Sequence, residues 1–216
     1  MFPIRDHNPS DRLPLITITL ILVTSFVFFL QLSAPDFEGF ITQYALIPNQ
    51  VVFPNFTTLL PFLYSIFLHG GWLHIISNMW FLWIFGDNVE ARMGHISFLF
   101  FYLVAGIAAG LVQYAFNPLS PIPTLGASGA VAGVLGGYII LYPSHKIDTL
   151  IPSFGGFMHR VQLPASIMLG YWFLIQLISG AGTFGVDVTG GVAWWAHIGG
   201  FLAGVVLIQF FRENKK

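Results

Sequence analysis

Four long stretches without a charged side chain constrain this sequence more than any other feature. No Asp, Glu, Lys or Arg occurs between Glu38 and Asp87, Arg92 and Lys146, Arg160 and Asp187, or Asp187 and Arg212. Each stretch can hold at least one apolar helix of roughly 20 residues, the length that crosses the hydrocarbon core of a bilayer. Since only 8% of the 216 residues are charged and 56% are hydrophobic, we expect a membrane protein rather than a water-soluble globule.

Composition also excludes several kinds of site. The chain has no cysteine, which excludes disulfides, thiolate metal sites and a cysteine nucleophile. Its net charge is -1 without basic runs, so we expect the lipid bilayer and no nucleic acid as a partner. His69 and His74 are five residues apart without an HExxH motif or nearby carboxylates, so we expect no metal and no cofactor.

Hydrophobic patterning predicts an all-α, polytopic bundle of six transmembrane helices. The expected spans, separated by turn-forming segments rich in proline or glycine, are 14–33, 71–90, 95–116, 127–142, 162–180 and 193–211. The first span is longer than the apolar core of a secretory signal peptide, and further spans follow it. We expect one transmembrane domain over residues 1–216, with residues 1–13 and 212–216 as its cytoplasmic ends.

All basic residues fall on one side of the six predicted spans, whereas the opposite loops contain only acids. The basic residues are Arg5, Arg12, Arg92, Lys146, Arg160, Arg212, Lys215 and Lys216. The acids of the opposite loops are Asp36, Glu38 and Asp187. The positive-inside rule then places both termini in the cytoplasm, and we expect a multi-pass protein of the bacterial inner membrane.

The connection from Ser33 to Gly70 is long and strongly apolar. We expect it to lie in the membrane interface or to embed partly, folding on itself so that its backbone groups are satisfied. A further buried half-helix is the alternative that the sequence leaves open.

A few polar side chains interrupt the predicted spans. Four of them stand out, His74, Asn78, Ser128 and His197, with His69 at a span entrance. Polar groups are costly in lipid and mark functional candidates. Each of them alone could also bond its own helix or bridge two helices.

Their spacing indicates a common location. His74 and Asn78 are four residues apart and share one helix face. Ser128 lies in the first turn of the fourth span and His197 near the start of the sixth, and both spans enter from the outer side. Small residues at four-residue intervals would let these two helices pack closely: Gly129, Gly133 and Gly137 in one, Ala196, Gly200 and Gly204 in the other.

This arrangement predicts serine-based peptide hydrolysis. His197 would take the proton of Ser128, whose oxygen attacks a peptide carbonyl, while His74, Asn78 and backbone N–H groups stabilise the oxyanion. No acid accompanies His197 within a span, so we expect a dyad rather than a triad. A nucleophile elbow of the soluble hydrolases does not fit, because Ala130 stands where that motif needs glycine.

At these residues the sequence resembles the rhomboid family, specifically its six-span bacterial members. The matching motifs are HGGWLHIISN (69–78), VEARMG (89–94), GASG (126–129) and AHIGGFLAG (196–204). The resemblance implies an intramembrane serine endopeptidase with Ser128 as nucleophile, His197 as base, and His74 and Asn78 as oxyanion donors. Its substrates would be transmembrane segments of other proteins that enter sideways.

The resemblance also implies structural roles and shows one departure. The family's E-x-R motif, matched by Glu90 and Arg92, supports the first-loop region, and Gly126 belongs to the motif around the serine. The glycine-rich loop 180–191 would act as a mobile cap, although its glycines could be plain turn residues. Many members have an aromatic residue four after the nucleophile that stacks on the catalytic histidine. Ala132 stands there in this chain, so either the base is held less firmly or another side chain holds it.

Two other functions compete with proteolysis. A catalytically silent relative would bind or escort membrane proteins, but such relatives usually lack the serine or the histidine, and this chain has both. A small transporter could use His74 and His197 as proton relays, but it would be expected to carry acids inside its spans.

Overall fold

Eight α-helices and three strands form the part of the chain that the computed structural model describes, residues 1–8, 10, 12–153, 156–183 and 191–211. The helices are α1 (Leu15–Ser33), α2 (Phe37–Tyr44), α3 (Pro61–Tyr64), α4 (Trp72–Met93), α5 (His95–Phe116), α6 (Ser128–Leu141), α7 (Ala165–Ala181) and α8 (Trp194–Phe211). The strands are β1 (Phe2–Asp6), β2 (Lys146–Pro152) and β3 (Met158–Pro164).

The six predicted spans coincide with α1, α4, α5, α6, α7 and α8, and every boundary agrees within three residues. By length and hydropathy, α1, α5 and α8 can each cross a membrane. The segment Phe56–Phe67 and α4, bent by 78°, form a fourth candidate. Helices α6 and α7 are apolar but shorter. The helix positions are therefore confirmed, and six crossings stay a prediction.

The apolar connection between α1 and α4 folds on itself through α2, α3 and three turns of 3₁₀-helix. Its residues Ile41, Ala45 and Leu68 form a small buried cluster of their own. This agrees with the expectation of a self-folded segment rather than a single half-helix.

Helix α6 lies in the centre of the bundle, and it packs so closely against α8 that the backbones of the two helices are in contact. All ten of its residues from Gly129 to Tyr138 are buried. A Cβ atom at Gly200 would collide with the carbonyl oxygen of Gly129, and one at Gly204 would collide with that of Gly133. Close approach of these two helices, predicted from the glycine spacing, is confirmed, because larger side chains would separate the backbones.

The all-α prediction is wrong in one respect, since the chain also forms a three-stranded antiparallel sheet in the order β1-β2-β3. Phe2 pairs with Leu150, and Lys146 pairs with Pro164. Strand β1 lies in the segment 1–13 and β2 in the connection that follows α6, where we expected no strands. Strand β3 continues to Pro164, so residues 162–164 are extended although we expected them in the fifth span. β-branched residues alternate along β2 at Ile147, Thr149 and Ile151, as strands prefer. Pairing of β1 with a partner more than a hundred residues away is invisible to a hydropathy window.

The sheet brings together three basic residues that the positive-inside rule assigned to one side. Arg5, Lys146 and Arg160 lie on β1, β2 and β3, respectively, and all three are exposed. The N-terminal segment and the connection from α6 to α7 therefore meet at one side of the molecule. Of the other basic residues, Arg12 and Arg92 lie elsewhere in the described part of the chain, and those at 212, 215 and 216 lie outside it.

Asp148 is a buried acid of the sheet, and its ionisation makes the stability of the folded protein depend on pH in the acidic range. Its carboxylate accepts a hydrogen bond from Arg160 and lies 3.0 Å from His7 Nε2. These partners, Arg160 first, lower the pKa of Asp148 from 3.8 to about 2. A depressed folded-state pKa stabilises the fold above the unfolded pKa, and this contribution disappears as the pH falls through the folded value.

We therefore expect the stability of the protein to fall between pH 4 and pH 2, and Asp148→Asn to remove this part of the fall. The effect is on the order of 1 kcal/mol, because the exposed Arg160 is screened by solvent. Thermal unfolding of the detergent-solubilised protein across this pH range measures it. Lys146→Gln, which removes an exposed charge from the same strand, is the control. An unchanged pH dependence in Asp148→Asn would contradict the assignment.

Candidate active site

The turn before α6 places the backbone next to two polar side chains of α4. Gly126 has φ +117°, in the left-handed region that favours glycine. A Cβ atom there would lie 2.5 Å from His74 Nε2 and 3.6 Å from Asn78 Nδ2. The N–H of Gly126 donates to the carbonyl oxygen of Ser65 at 2.8 Å. Ser128 follows two residues later as the first residue of α6, so it stands beside both α4 side chains.

His74 has a defined tautomer. The backbone N–H of Gly70 donates to His74 Nδ1 at 3.4 Å. Because a neutral imidazole with an accepting Nδ1 carries its proton on Nε2, the side of the ring that faces Gly126 is an N–H donor.

Asn78 is oriented by His69, a residue to which no catalytic role was assigned from the sequence. Asn78 Nδ2 lies 3.0 Å from His69 Nε2, and the backbone N–H of Ala127 donates to the same nitrogen at 3.4 Å. Since a backbone N–H can only donate, His69 Nε2 is the acceptor for both. His69 is fully buried, and the Gln31 side chain bonds its backbone N–H and C=O at 3.0 and 3.2 Å.

His197, in the first turn of α8, is held by side chains of α7 and α8. Its Nδ1 lies 2.8 Å from Gln176 Oε1. The indole of Trp172 lies at a centroid distance of 5.8 Å and a tilt of 32°, and that of Trp194 meets the ring at 6.2 Å and 84°. Ala132 of α6 is buried and carries no ring. The aromatic neighbours of the histidine therefore come from α7 and α8 in this chain.

Close packing of α6 and α8 sets Ser128 and His197 on facing turns. An ideal Cβ at Gly129 would lie 3.6 Å from the carbonyl oxygen of Ala196, and these two residues directly adjoin Ser128 and His197. Both functional side chains are partly exposed. Within the described residues, Ser128 Oγ and His197 Nε2 make no hydrogen bond, and such contacts are often long before substrate binds.

Glu90 lies at the opposite end of α4 from this cluster. Its carboxylate accepts hydrogen bonds from the backbone N–H groups of Ile16 and Thr17, each at 2.8 Å, and from Thr17 Oγ1 at 2.7 Å. It also lies 2.6 Å from His95 Nδ1. Glu90 thus caps α1, which has no side-chain cap of its own. The expectation that this motif supports the first connection is wrong for Glu90, and Arg92 lies half-buried at the same end.

A cavity of about 710 Å³ lies between the connection that follows α5 and the start of α8. Gln113, Thr124 and Trp194 are among its lining residues. The predicted cap, 180–191, falls mainly on residues 184–190, which lie outside the described residues. In the part of the chain that the structure describes, no group of three His, Asp or Glu side chains could hold a metal ion.

Comparison with known proteins gives consistent matches. A model of the Rhomboid domain matches residues 57–214. The chain is 29% identical over 165 residues to presenilin-associated rhomboid-like protein A, mitochondrial, of Danio rerio, covering 73% of this chain and 39% of that protein. It is 31% identical over 172 residues to rhomboid-like protein 11, chloroplastic, of Arabidopsis thaliana, covering 77% and 58%.

A bacterial relative is named as a protease. Rhomboid protease GluP of Bacillus subtilis (strain 168) is 32% identical over 142 residues, covering 66% of this chain and 25% of that protein. The matched stretch thus spans from about a quarter to somewhat more than half of the length of these relatives.

Proposed function

Because the chain belongs to the rhomboid family and is an integral membrane protein, we propose that it is a serine endopeptidase that cleaves transmembrane segments of other membrane proteins. One observation supports this proposal: the turn before α6 lies against His74 and Asn78 of α4, and the first turn of α6, which holds Ser128, packs against the first turn of α8, which holds His197. Family membership alone does not decide the activity, since only some relatives are named as proteases.

In the proposed reaction, Ser128 is the nucleophile and His197 the general base. The oxygen of Ser128 attacks the peptide carbonyl while His197 Nε2 accepts its proton, and the imidazolium then protonates the departing amine. Water, deprotonated by the same imidazole, hydrolyses the acyl-enzyme. No third charged group is needed, because each proton that His197 takes up is released in the next step.

The oxyanion donors are His74 and Asn78 in this proposal. The tautomer of His74 supports its role. Its Nδ1 accepts a hydrogen bond from the backbone N–H of Gly70, so the proton on Nε2 is left to bond the oxyanion. Asn78 gives one of its two N–H groups to His69, so the second is free for a substrate oxygen. Donors that are fixed before the reaction stabilise the developing charge without reorganisation.

The membrane arrangement is also a proposal. Six crossings by α1, α4, α5, α6, α7 and α8 would place both termini in the cytoplasm of a bacterium, and the shared side of Arg5, Lys146 and Arg160 supports this orientation. The cluster would then face the outer side.

A catalytically silent, substrate-binding relative is the second candidate. Relatives that are named rhomboid-like and not protease favour it as the second candidate. The test is cleavage of a fluorescently labelled single-span protein by the purified chain in lipid vesicles. Cleavage at one site in or beside the apolar segment is the expected result. Binding of that protein without any product, over a panel of single-span segments, would favour the silent relative.

We expect Asn78→Ala to lower the turnover number by roughly 10²- to 10³-fold without abolishing cleavage, since it removes one oxyanion donor. The KM should change little, because the donor acts mainly in the transition state. Ser77→Ala is the matched control: Ser77 is exposed on the same helix, and among the described residues its side chain bonds only the carbonyl oxygen of His74, at 3.0 Å. Equal turnover numbers for the two variants would show that Asn78 is not a donor.

A further inference from the structure

We infer that Gln176 is a positioning residue that fixes the tautomer of His197 and holds its Nε2 free for Ser128. This inference rests on the proposed function and extends it from a Ser-His pair to a Ser-His-Gln arrangement. Gln176 lies on α7, which was assigned no functional residue from the sequence, and it contacts neither the nucleophile nor the oxyanion donors among the described residues.

Both ends of the Gln176 amide have a partner, and this decides its orientation. Nε2 donates to the carbonyl oxygen of Trp172 at 3.0 Å, and Oε1 lies 2.8 Å from His197 Nδ1. A flipped amide would set Oε1 against the Trp172 carbonyl oxygen, two acceptors without a proton between them. Oε1 therefore faces the imidazole.

The orientation of the amide determines the protonation of the histidine. An amide oxygen only accepts, so His197 Nδ1 must carry the proton and Nε2 must carry the lone pair. This is the tautomer that a general base needs on the side of the serine. Gln176 is 4% exposed, so bulk water is not available to take its place.

Trp172 and Gln176 act on the same ring from one helix. They are four residues apart on α7 and so share a face. Trp172 lies beside the imidazole while Gln176 bonds its edge, which restricts both the tilt and the rotation of the ring. Helix α7 thereby supplies the restraint that Ala132 of α6 cannot give.

A glutamine differs from the acid of a triad in one testable way. It orients the imidazole without adding a negative charge, so the imidazolium gains no ion pair. Among the described residues, His74 is the titratable group that interacts with His197. A carboxylate at position 176 would add such a partner and favour the protonated ring.

The first test reads the tautomer directly and does not depend on activity. In the ¹⁵N NMR spectrum of the histidine-labelled protein, the His197 signals are assigned by difference with His197→Gln. We expect a protonated Nδ1 and an unprotonated Nε2 in the wild type, and a mixture of tautomers in Gln176→Leu. A wild-type Nε2–H tautomer, or an unchanged tautomer in Gln176→Leu, would overturn the inference even if the protein cleaves its substrate.

The second test uses the cleavage assay. Gln176→Leu should lower the turnover number at least about 10-fold with an unchanged KM, within the limit of about 10⁴-fold that a wrong tautomer costs. Gln176→Glu should restore turnover at high pH and shift the acidic limb of the pH-rate profile upward, because the carboxylate favours the imidazolium. If Gln176→Leu does not fold, the shift in Gln176→Glu decides, and an unshifted limb would overturn the inference.

Gln113→Leu is the matched control, because it tests whether Gln176 acts merely by supporting helix α8. Gln113 also supports α8, by accepting the backbone N–H of Ala196 at 3.2 Å, but it does not contact the imidazole. This variant should leave the His197 tautomer and the acidic limb unchanged. The same change of tautomer in Gln113→Leu would show that any loosening of α8 suffices. Labelling of Ser128 by a serine-directed probe reports separately on the proposed function.

Discussion

Replacing Ser128 by alanine is expected to lower the rate of substrate cleavage by roughly 10⁴- to 10⁶-fold, the loss that follows removal of a nucleophile. The loss should come from chemistry and not from folding. Ser128 begins α6 without capping it, and its hydroxyl makes no hydrogen bond among the described residues. Single-turnover cleavage and thermal unfolding of the same preparation measure both quantities. Residual cleavage within about 10-fold of the wild type would contradict the assignment of Ser128.

The double variant Ser128→Ala with His197→Ala separates joint action from independent roles. Residues that act as one unit give losses that do not multiply. The double variant should therefore be hardly slower than either single variant. Losses that multiply would show that His197 does not act through Ser128.

Gly204→Ala is expected to destabilise the protein by about 1–3 kcal/mol, the usual cost of forcing an extra carbon atom into a packed interior. The new Cβ would collide with the carbonyl oxygen of Gly133, which is backbone and cannot rotate away. Separation of α6 and α8 would also move Ser128 away from His197, so we expect cleavage to fall at least about 10-fold.

Gly170→Ala is the matched control for this packing prediction. It makes the same change in helix α7, at a position where a Cβ would meet nothing within 4 Å. Alanine is the better helix former, so this variant should be more stable by about 0.5–1 kcal/mol. Chemical denaturation in mixed micelles compares the two variants. Equal stability of Gly204→Ala and Gly170→Ala would contradict the close α6–α8 contact.

The parts of the fold that sequence predicted are those that depend on neighbouring residues. Uncharged apolar stretches identify the helices, because the length and hydrophobicity of a local stretch are enough to predict an apolar helix. No contact with a distant part of the chain is required. The close contact of α6 and α8 followed from glycines at four-residue intervals, which lie on one face of each helix. The same periodicity predicted that His74 and Asn78 share a face.

The parts that sequence did not predict depend on long-range pairing. The sheet requires β1 to find β2 across α1, α4, α5 and α6, and neither strand is distinctive by itself. Glu90 was expected to support the first connection, yet it caps α1, since only the packing of α1 against α4 decides which backbone its carboxylate meets.

Two residues of the site were missed for the same reason. His69 was noted as polar but had no role, because its contact with Asn78 depends on the turn before α4. Gln176 stands in an apolar stretch of the sequence. Because an amide in such a stretch needs a hydrogen-bond partner, its position there could have marked it as a candidate. Its partner, His197, became visible only when α7 and α8 were placed side by side.

Covalent labelling of the reconstituted protein with a fluorophosphonate probe tests most directly whether Ser128 is an activated nucleophile. The predicted result is a single adduct, mapped by mass spectrometry to Ser128, that is absent from Ser128→Ala and forms much more slowly in His197→Ala. An unlabelled wild type, or equal labelling of wild type and Ser128→Ala, would contradict the assignment of Ser128 as an activated nucleophile.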